Sequence, residues 1–233
     1  MLCAKTLFGK IEIPSVVVAG TKGKGSTCAV IESALRCSGL RTGLFTSPHL
    51  VTPRERIRIN GKCITPDEYI HAYEMVKSGL ESNHIEMPPF FGLHTLMSAN
   101  VFNGEKVDVA VIECGIGGRF DWTKIYSPST TAVTHLEYDH TNVLGDTAEM
   151  IAWHKAGILT DKAEAFTVPQ NPLFMEPLMR FAKEQRCNLH VVGPVWKGEM
   201  GLRGPTAQEN TALGIAAARS IAKKLCKEIN AEK

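Results

Sequence analysis

Short apolar runs alternate with amphipathic stretches along most of the chain. Residues 16–19 (Val-Val-Val-Ala) form an unbroken apolar run, the pattern of a strand buried on both faces, and they lead into a glycine-rich segment. Residues 26–38 then carry Val30, Ile31, Ala34 and Leu35 at helical spacing, with Gly39 as the stop. A second helix is expected to start at Thr65-Pro66-Asp67-Glu68, where a capping hydroxyl, a proline at the first helical position and two first-turn acids agree. Its apolar face would be Ile70, Tyr73, Val76 and Leu80. Further helices are expected over 90–103, 147–159, 172–186 and 208–229, and strands over 107–112, 131–134, 165–168 and 189–192. Strands alternating with helices predict an α/β fold, a mostly parallel sheet with helices on both faces. Ligands of such sheets bind beyond the carboxyl ends of the strands. The loop after Ala19, Glu113 after Ile112 and His140 after the 131–134 strand all belong there.

Composition narrows the classes. The 233 residues are 44% hydrophobic and 21% charged, with a net charge of +2 and no basic stripe, which speaks against nucleic acid or a membrane surface as partner. No apolar stretch approaches the roughly 18–20 residues of a membrane span. Residues 1–8 are too short for a secretory signal. The seven cysteines (Cys3, Cys28, Cys37, Cys63, Cys114, Cys187 and Cys226) are scattered without a C-x-x-C pair, so reduced thiols in a reducing compartment are expected.

The glycine-rich loop comprises Gly20, Thr21, Lys22, Gly23, Lys24, Gly25, Ser26 and Thr27. Between a strand and a helix, such a loop can wrap a phosphate with backbone N–H groups, and the helix N-terminus adds favourable partial charge. The common expression G-x-x-x-x-G-K-[ST] is not matched, because Gly25 stands where a hydroxyl should come after Lys24. A tight connection is the plainer explanation of a glycine-rich turn. The preceding apolar strand and the acid at a second strand end favour nucleotide.

In this context loop 20–27 resembles the P-loop of the folylpolyglutamate synthase family, relatives of the Mur ligases. Residues 43–50 (GLFTSPHL) are similar to that family's folate-site loop, and residues 54–61 (RERIRING) fit the stretch just after that loop. Residues 113–118 (ECGIGG), 139–141 (DHT), 144–147 (LGDT) and 155–158 (KAGI) continue the series in order. The resemblance covers residues 16–170 and implies a Mur ligase central-domain-like fold. It implies an ATP-dependent ligase that phosphorylates the terminal carboxylate of a folate and lets the amine of glutamate displace the phosphate. A carboxylate is a poor electrophile, so activation is the purpose of the ATP.

Without a hydroxyl after Lys24, magnesium needs other ligands, and the resemblance supplies Ser47, Glu113 and His140. Oxygen donors suit magnesium, and an imidazole is a tolerable addition. Ser47 before Pro48 also fits a simple turn, and His140 a loop cap; an acid ending an apolar strand is costly to bury without a partner. Lys155 matches a lysine carbamylated in the family, which makes Lys155 and His140 the catalytic candidates; unmodified, Lys155 would be an ordinary helix-face lysine. Asp139 and Asp121 are candidate supporting acids. Phe90, Phe91 and Trp153 could stack on a pterin, although aromatics at helical spacing usually belong to a core. Asn210 is the surviving part of a segment near adenine. The accompanying groups implied are ATP, one or two magnesium ions, a carbamylated lysine and a monovalent cation, and the partners are folate, glutamate and ATP.

The chain departs from the pattern at Lys124 (asparagine in the family), His154 (glutamate or glutamine) and His94 (apolar), and around 204–210, where the histidine has no counterpart. The expectation is one ATP-binding domain over 1–233 without the family's C-terminal glutamate-binding domain, binding ATP with little or no turnover. A monomer in the cytoplasm is expected, and a mitochondrial form is compatible with the resemblance. The alternatives are dihydrofolate synthase, a non-catalytic nucleotide- or folate-binding paralogue and, more distantly, an unrelated P-loop ATPase.

Overall fold

The apolar run at the start of the chain is the centre of the sheet. In the computed structural model, which describes residues 7, 11–193, 204 and 206–229, strand β1 (Ser15–Ala19) is buried along its whole length. It pairs in parallel with β5 (Val109–Glu113) on one side and β6 (Thr130–Val133) on the other. Eight strands take the order β4-β3-β2-β5-β1-β6-β7-β8. The strands β2 (Thr42–Phe45), β7 (Glu164–Thr167) and β8 (Leu189–Val191) extend the parallel part. At one edge β3 (Ile57–Ile59) and β4 (Lys62–Cys63) form an antiparallel hairpin.

Because successive strand residues face opposite ways, β1 feeds two cores. Val16 and Val18 pack with Leu44, Val111 and Ala132 beneath α1 (Lys24–Cys37) and α7 (Ala207–Lys224). Val17 and Ala19 pack with Phe45, Ile112 and Val133 on the other face. That face is covered by α2 (Pro66–Ser82), α3 (Phe90–Gly104), α5 (Ala148–Lys155) and α6 (Pro172–Glu184). A one-turn helix, α4 (Thr141–Leu144), precedes α5. Helices on both faces of a mostly parallel sheet are the expected architecture.

The capping signals operate as expected. The Thr65 hydroxyl accepts the Glu68 N–H, and the Glu68 carboxylate accepts the Thr65 N–H at 2.6 Å. The expected apolar face of α2 needs correction: Ala72, Val76 and Leu80 are buried, whereas Ile70 is 53% exposed. The buried residues recur every four positions, and Ile70 falls outside that stripe. The helix expected to reach residue 159 stops at Lys155, and a 3-10 turn (Ala156–Ile158) takes over. There Gly157 meets the backbone of Arg119, and a Cβ on it would lie 2.3 Å from Arg119 Cα.

Strands β2, β3 and β4 lie in a stretch read only for its motifs. The β3–β4 turn is Asn60-Gly61, both with positive φ (49° and 76°), the two-residue hairpin signal. Among the described residues no helix is long and apolar enough to cross a membrane. Cys28, Cys37, Cys63, Cys114, Cys187 and Cys226 are free thiols; Cys3 and Pro205 lie outside the described residues.

Candidate functional site

The glycine-rich loop leaves β1 through Gly20, whose φ of 149° and contact with Thr134 exclude a side chain: a Cβ would lie 1.8 Å from Thr134 Oγ1. Gly23, at φ 87°, is the N-cap of α1 and packs against the Asn210 side chain. The first turn of α1 holds no acid and no side-chain cap, so its leading N–H groups have no carboxylate or hydroxyl on them. The first half of the loop is different. Thr21 and Lys22 both donate their N–H to His135 C=O, at 2.9 and 3.3 Å, rather than into the loop. Lys24 folds back and donates from Nζ to Thr21 C=O at 3.3 Å.

Glu113 ends β5 almost fully buried. Its Oε2 accepts the Ser47 N–H at 2.8 Å, which links the ends of neighbouring strands β5 and β2. Burial pushes its pKa up; the Ser47 hydrogen bond and the charges of Lys24 and Arg56 oppose the rise without cancelling it. A Cβ on Gly25 would stand 3.6 Å from Glu113 Oε2, so the missing hydroxyl position opens directly onto this carboxylate. A buried carboxylate short of donors, beside a serine and a lysine, suits a hard cation. His140 is placed otherwise. It is exposed at φ 48° as the N-cap of α4, with Nε2 3.6 Å from Asp139 Oδ2. The structure joins Ser47 to Glu113 and leaves His140 on a separate loop. Among the described residues no three His, Cys, Asp or Glu side chains converge as a metal site.

Lys155 is not a helix-face lysine. Only 2% exposed, it donates from Nζ to Gly20 C=O at 2.7 Å. Burial, with help from the charge of Lys24, pushes its pKa down to about 8.

Beside Ser47, the partner of Glu113, opens a cavity of about 720 Å³, lined among others by Pro48, Arg56, Phe90, Phe91, Phe120, Trp122 and His154. Phe90 is 54% exposed and lies under the Arg56 guanidinium, 5.1 Å from ring centroid to carbon. Arg56 also donates from Nε to His49 Nδ1 at 2.9 Å. Behind this wall the Tyr69 hydroxyl and the buried His94 Nε2 are 2.9 Å apart, and His94 Nδ1 is 2.8 Å from Phe90 C=O. Trp153 takes no part in the lining; its ring carries the Arg119 guanidinium at 4.1 Å. Asp121 organises the glycine segment by accepting N–H groups from Gly115, Ile116 and Thr123. Lys124 donates to Gly157 C=O at 2.9 Å. Asn210 sits on the first turn of α7, its Nδ2 3.4 Å from Thr206 Oγ1. Sequence reasoning missed Arg56, Phe120 and Trp122 as cavity residues.

A phosphate-type loop on the central strand of a parallel sheet, with a buried acid on the next strand and a lysine beneath the loop, defines an α/β domain of the P-loop, Mur ligase-like class. No family model matches the chain. Among curated proteins it is 45% identical over 218 residues to the mitochondrial folylpolyglutamate synthase of Cricetulus griseus, and 44% identical over 212 residues to that of Homo sapiens. These alignments take in 88% and 85% of the chain but 37% and 36% of the relatives. Among solved structures, the apo form of L. casei FPGS superposes with a TM-score of 0.91 at 27% identity, over 98% of this chain and 63% of that one. An FPGS–AMPPCP–folate complex gives 0.89 at 26% identity, over 98% and 63%. The chain is homologous to the folylpolyglutamate synthases and spans little more than a third of the length of these curated relatives.

Proposed function

We propose that this chain forms the ATP- and folate-handling part of a ligase that adds glutamate to the γ-carboxylate of a folate. The observation that carries the proposal is Glu113, a buried acid short of donors that faces Gly25 of the phosphate loop and accepts the N–H of Ser47, itself part of the wall of an aromatic cavity. The N–H groups opening α1, with Lys24, receive the phosphates. Ser47 and Glu113, already joined, would hold magnesium, with His140 reaching them from its separate loop; the ion would supply charge neutralisation for the transferred phosphoryl group. The cavity-lining rings of Phe90, Phe91 and Trp122 take the pterin and its aryl extension, and Arg56 faces the substrate's anionic end.

In the reaction a carboxylate oxygen of the folate attacks the γ-phosphorus and ADP leaves. The glutamate nitrogen then attacks the acyl carbon, phosphate departs, and the amine gives up its proton as the amide forms. The protein's tasks are alignment and exclusion of water from the acyl phosphate. Lys155 has a second role in this reading. At pKa about 8 part of it is a neutral amine, the form that adds to CO2, loses a proton and becomes a carbamate. That exchange turns a cation beneath the loop into an anion.

Calorimetry with an ATP analogue, with and without magnesium, and then a turnover assay with labelled glutamate, ATP and either tetrahydrofolate or dihydropteroate, tests the proposal. Magnesium-dependent nucleotide binding with little or no turnover is expected, and any glutamate that is incorporated should enter tetrahydrofolate. Consumption of dihydropteroate alone would replace the substrate assignment, and the absence of magnesium-dependent nucleotide binding would remove the reading.

A further inference from the structure

The first half of the phosphate loop is tied to the segment that comes after β6. Besides the two N–H groups held by His135 C=O, the Thr21 hydroxyl donates to Glu137 C=O and accepts the Glu137 N–H, both at 3.1 Å. An exposed ion pair, Lys22 Nζ to Glu137 Oε2 at 2.5 Å, closes the same contact. The hydroxyl pair is specific to its side chain. A threonine hydroxyl offers one donor and two lone pairs, so it can satisfy both polar groups of one peptide residue at once. Serine can do this; valine, with the same shape, cannot.

Residue 137 leads directly to Asp139 and His140. The His140 N–H donates to Asp139 Oδ1 at 2.8 Å, and His140 holds a left-handed backbone at φ 48°. The Thr21 side chain therefore connects two loops 116 residues apart in sequence, one bearing the phosphate-binding helix start and the other the exposed imidazole. Its N–H and hydroxyl are both engaged by residues 135–137, while its C=O accepts the Lys24 ammonium.

We propose that Thr21 is a positioning residue. It does not hold phosphate; it fixes the His140 loop against the phosphate loop, so that nucleotide and divalent cation strengthen each other's binding. The inference rests on the magnesium–nucleotide reading given above. Coupling of this kind is reciprocal: whatever magnesium adds to nucleotide affinity, nucleotide adds to magnesium affinity.

The test compares the wild type with Thr21→Val and Thr21→Ser. Two quantities are measured: hydrogen exchange of the Glu137 amide in the ligand-free chain, and affinity for an ATP analogue with and without magnesium. In Thr21→Val the Glu137 amide should exchange faster, metal-free affinity should stay within about twofold, and the gain from magnesium should fall about five- to tenfold. Thr21→Ser should restore both. Unchanged Glu137 exchange would overturn the proposal, as would a serine variant that behaves like valine. An equal loss with and without metal would make Thr21 a phosphate ligand or a merely structural residue, and would also overturn it. If the wild type shows no magnesium effect on nucleotide binding, the site reading falls and the coupling with it; Glu137 exchange still reports whether the hydroxyl contact exists.

Discussion

Glu55, near the end of the loop that joins β2 to β3, and Glu113, which ends β5 and holds the start of that loop through the Ser47 N–H, are pushed in opposite directions by their environments. Glu55 is half-buried and accepts the N–H groups of Leu50, Val51 and Thr52 at 2.7–2.9 Å. Those three bonds, with Leu50 contributing most, hold its pKa down to about 2. Glu113 is buried, receives the Ser47 N–H, and is pushed upward by burial. The contrast separates two uses of one side chain. A carboxylate saturated by backbone donors is finished architecture: it shapes the loop that presents Leu50 and Val51 at about 90% exposure. A carboxylate with fewer donors than its charge requires is incomplete until a cation arrives.

The sharpest way to break that contrast is Glu113→Gln, which keeps shape and removes charge. The gain in nucleotide affinity from magnesium should drop by about a hundredfold, near the upper range for disturbed metal sites. Calorimetry with an ATP analogue reads this directly, and an unchanged magnesium effect would place the cation elsewhere.

Lys155 supplies the second test, because it is another buried charge short of partners. Its folded pKa of about 8 lies below the ordinary value of 10.5, so between those limits the unfolded chain binds more protons. Stability should therefore rise with pH from about 8 to 10.5, by up to about 3 kcal/mol. Urea titrations of Lys155→Met should lack that slope. A parallel rise in the variant would assign the effect to other groups.

Thr27 is a smaller case of the same kind. Its Oγ1 is fully buried without a hydrogen-bond partner. Replacing it by valine should leave the ligand-free chain as stable or up to about 1 kcal/mol more stable in chemical denaturation. A clear loss would mean that the hydroxyl does have a partner in solution.

Glu55→Gln is expected to have the smallest effect at neutral pH and the clearest pH signature. The folded pKa is depressed, so the contribution is complete above the carboxylate's ordinary value of 4.5 and declines as pH falls toward 2. The melting temperatures of wild type and variant should converge along that descent. A constant difference would show that Glu55 acts through packing alone.

Much of this arrangement was legible in the sequence, and the gaps have physical causes. Buried parallel strands write themselves as apolar runs, so β1 and β5 are visible, and β6 shows through its β-branched Thr-Thr-Ala-Val; with them comes the shared edge that carries the loop and Glu113. The helix starts at Pro66 and Pro172 come from proline at the first helical position and a capping side chain before it. The β3–β4 hairpin carried an adequate signal in Asn60-Gly61 that motif reading passed over. Other features had no local signal. Arg56 meets Phe90 only because the start of α3 is packed beside the end of β2's loop, which depends on the whole sheet. The direction of the Thr21 and Lys22 N–H groups depends on His135, more than a hundred positions away. Lys155 showed the limit most clearly, since helical spacing alone cannot say which side of a helix faces a glycine carbonyl.

The sheet order has one more consequence. In a twisted sheet the outer strands swing most about the middle and the central strand least. With β1 fifth of eight, the phosphate loop sits near the fulcrum, where distortions arriving from either edge have the shortest lever arm. The two-residue, exposed β4 at one rim and the short β8 at the other are where length can be added with least leverage on the loop. Insertions there should be mechanically quiet, whereas a single added residue between β1 and α1 would act at the pivot itself.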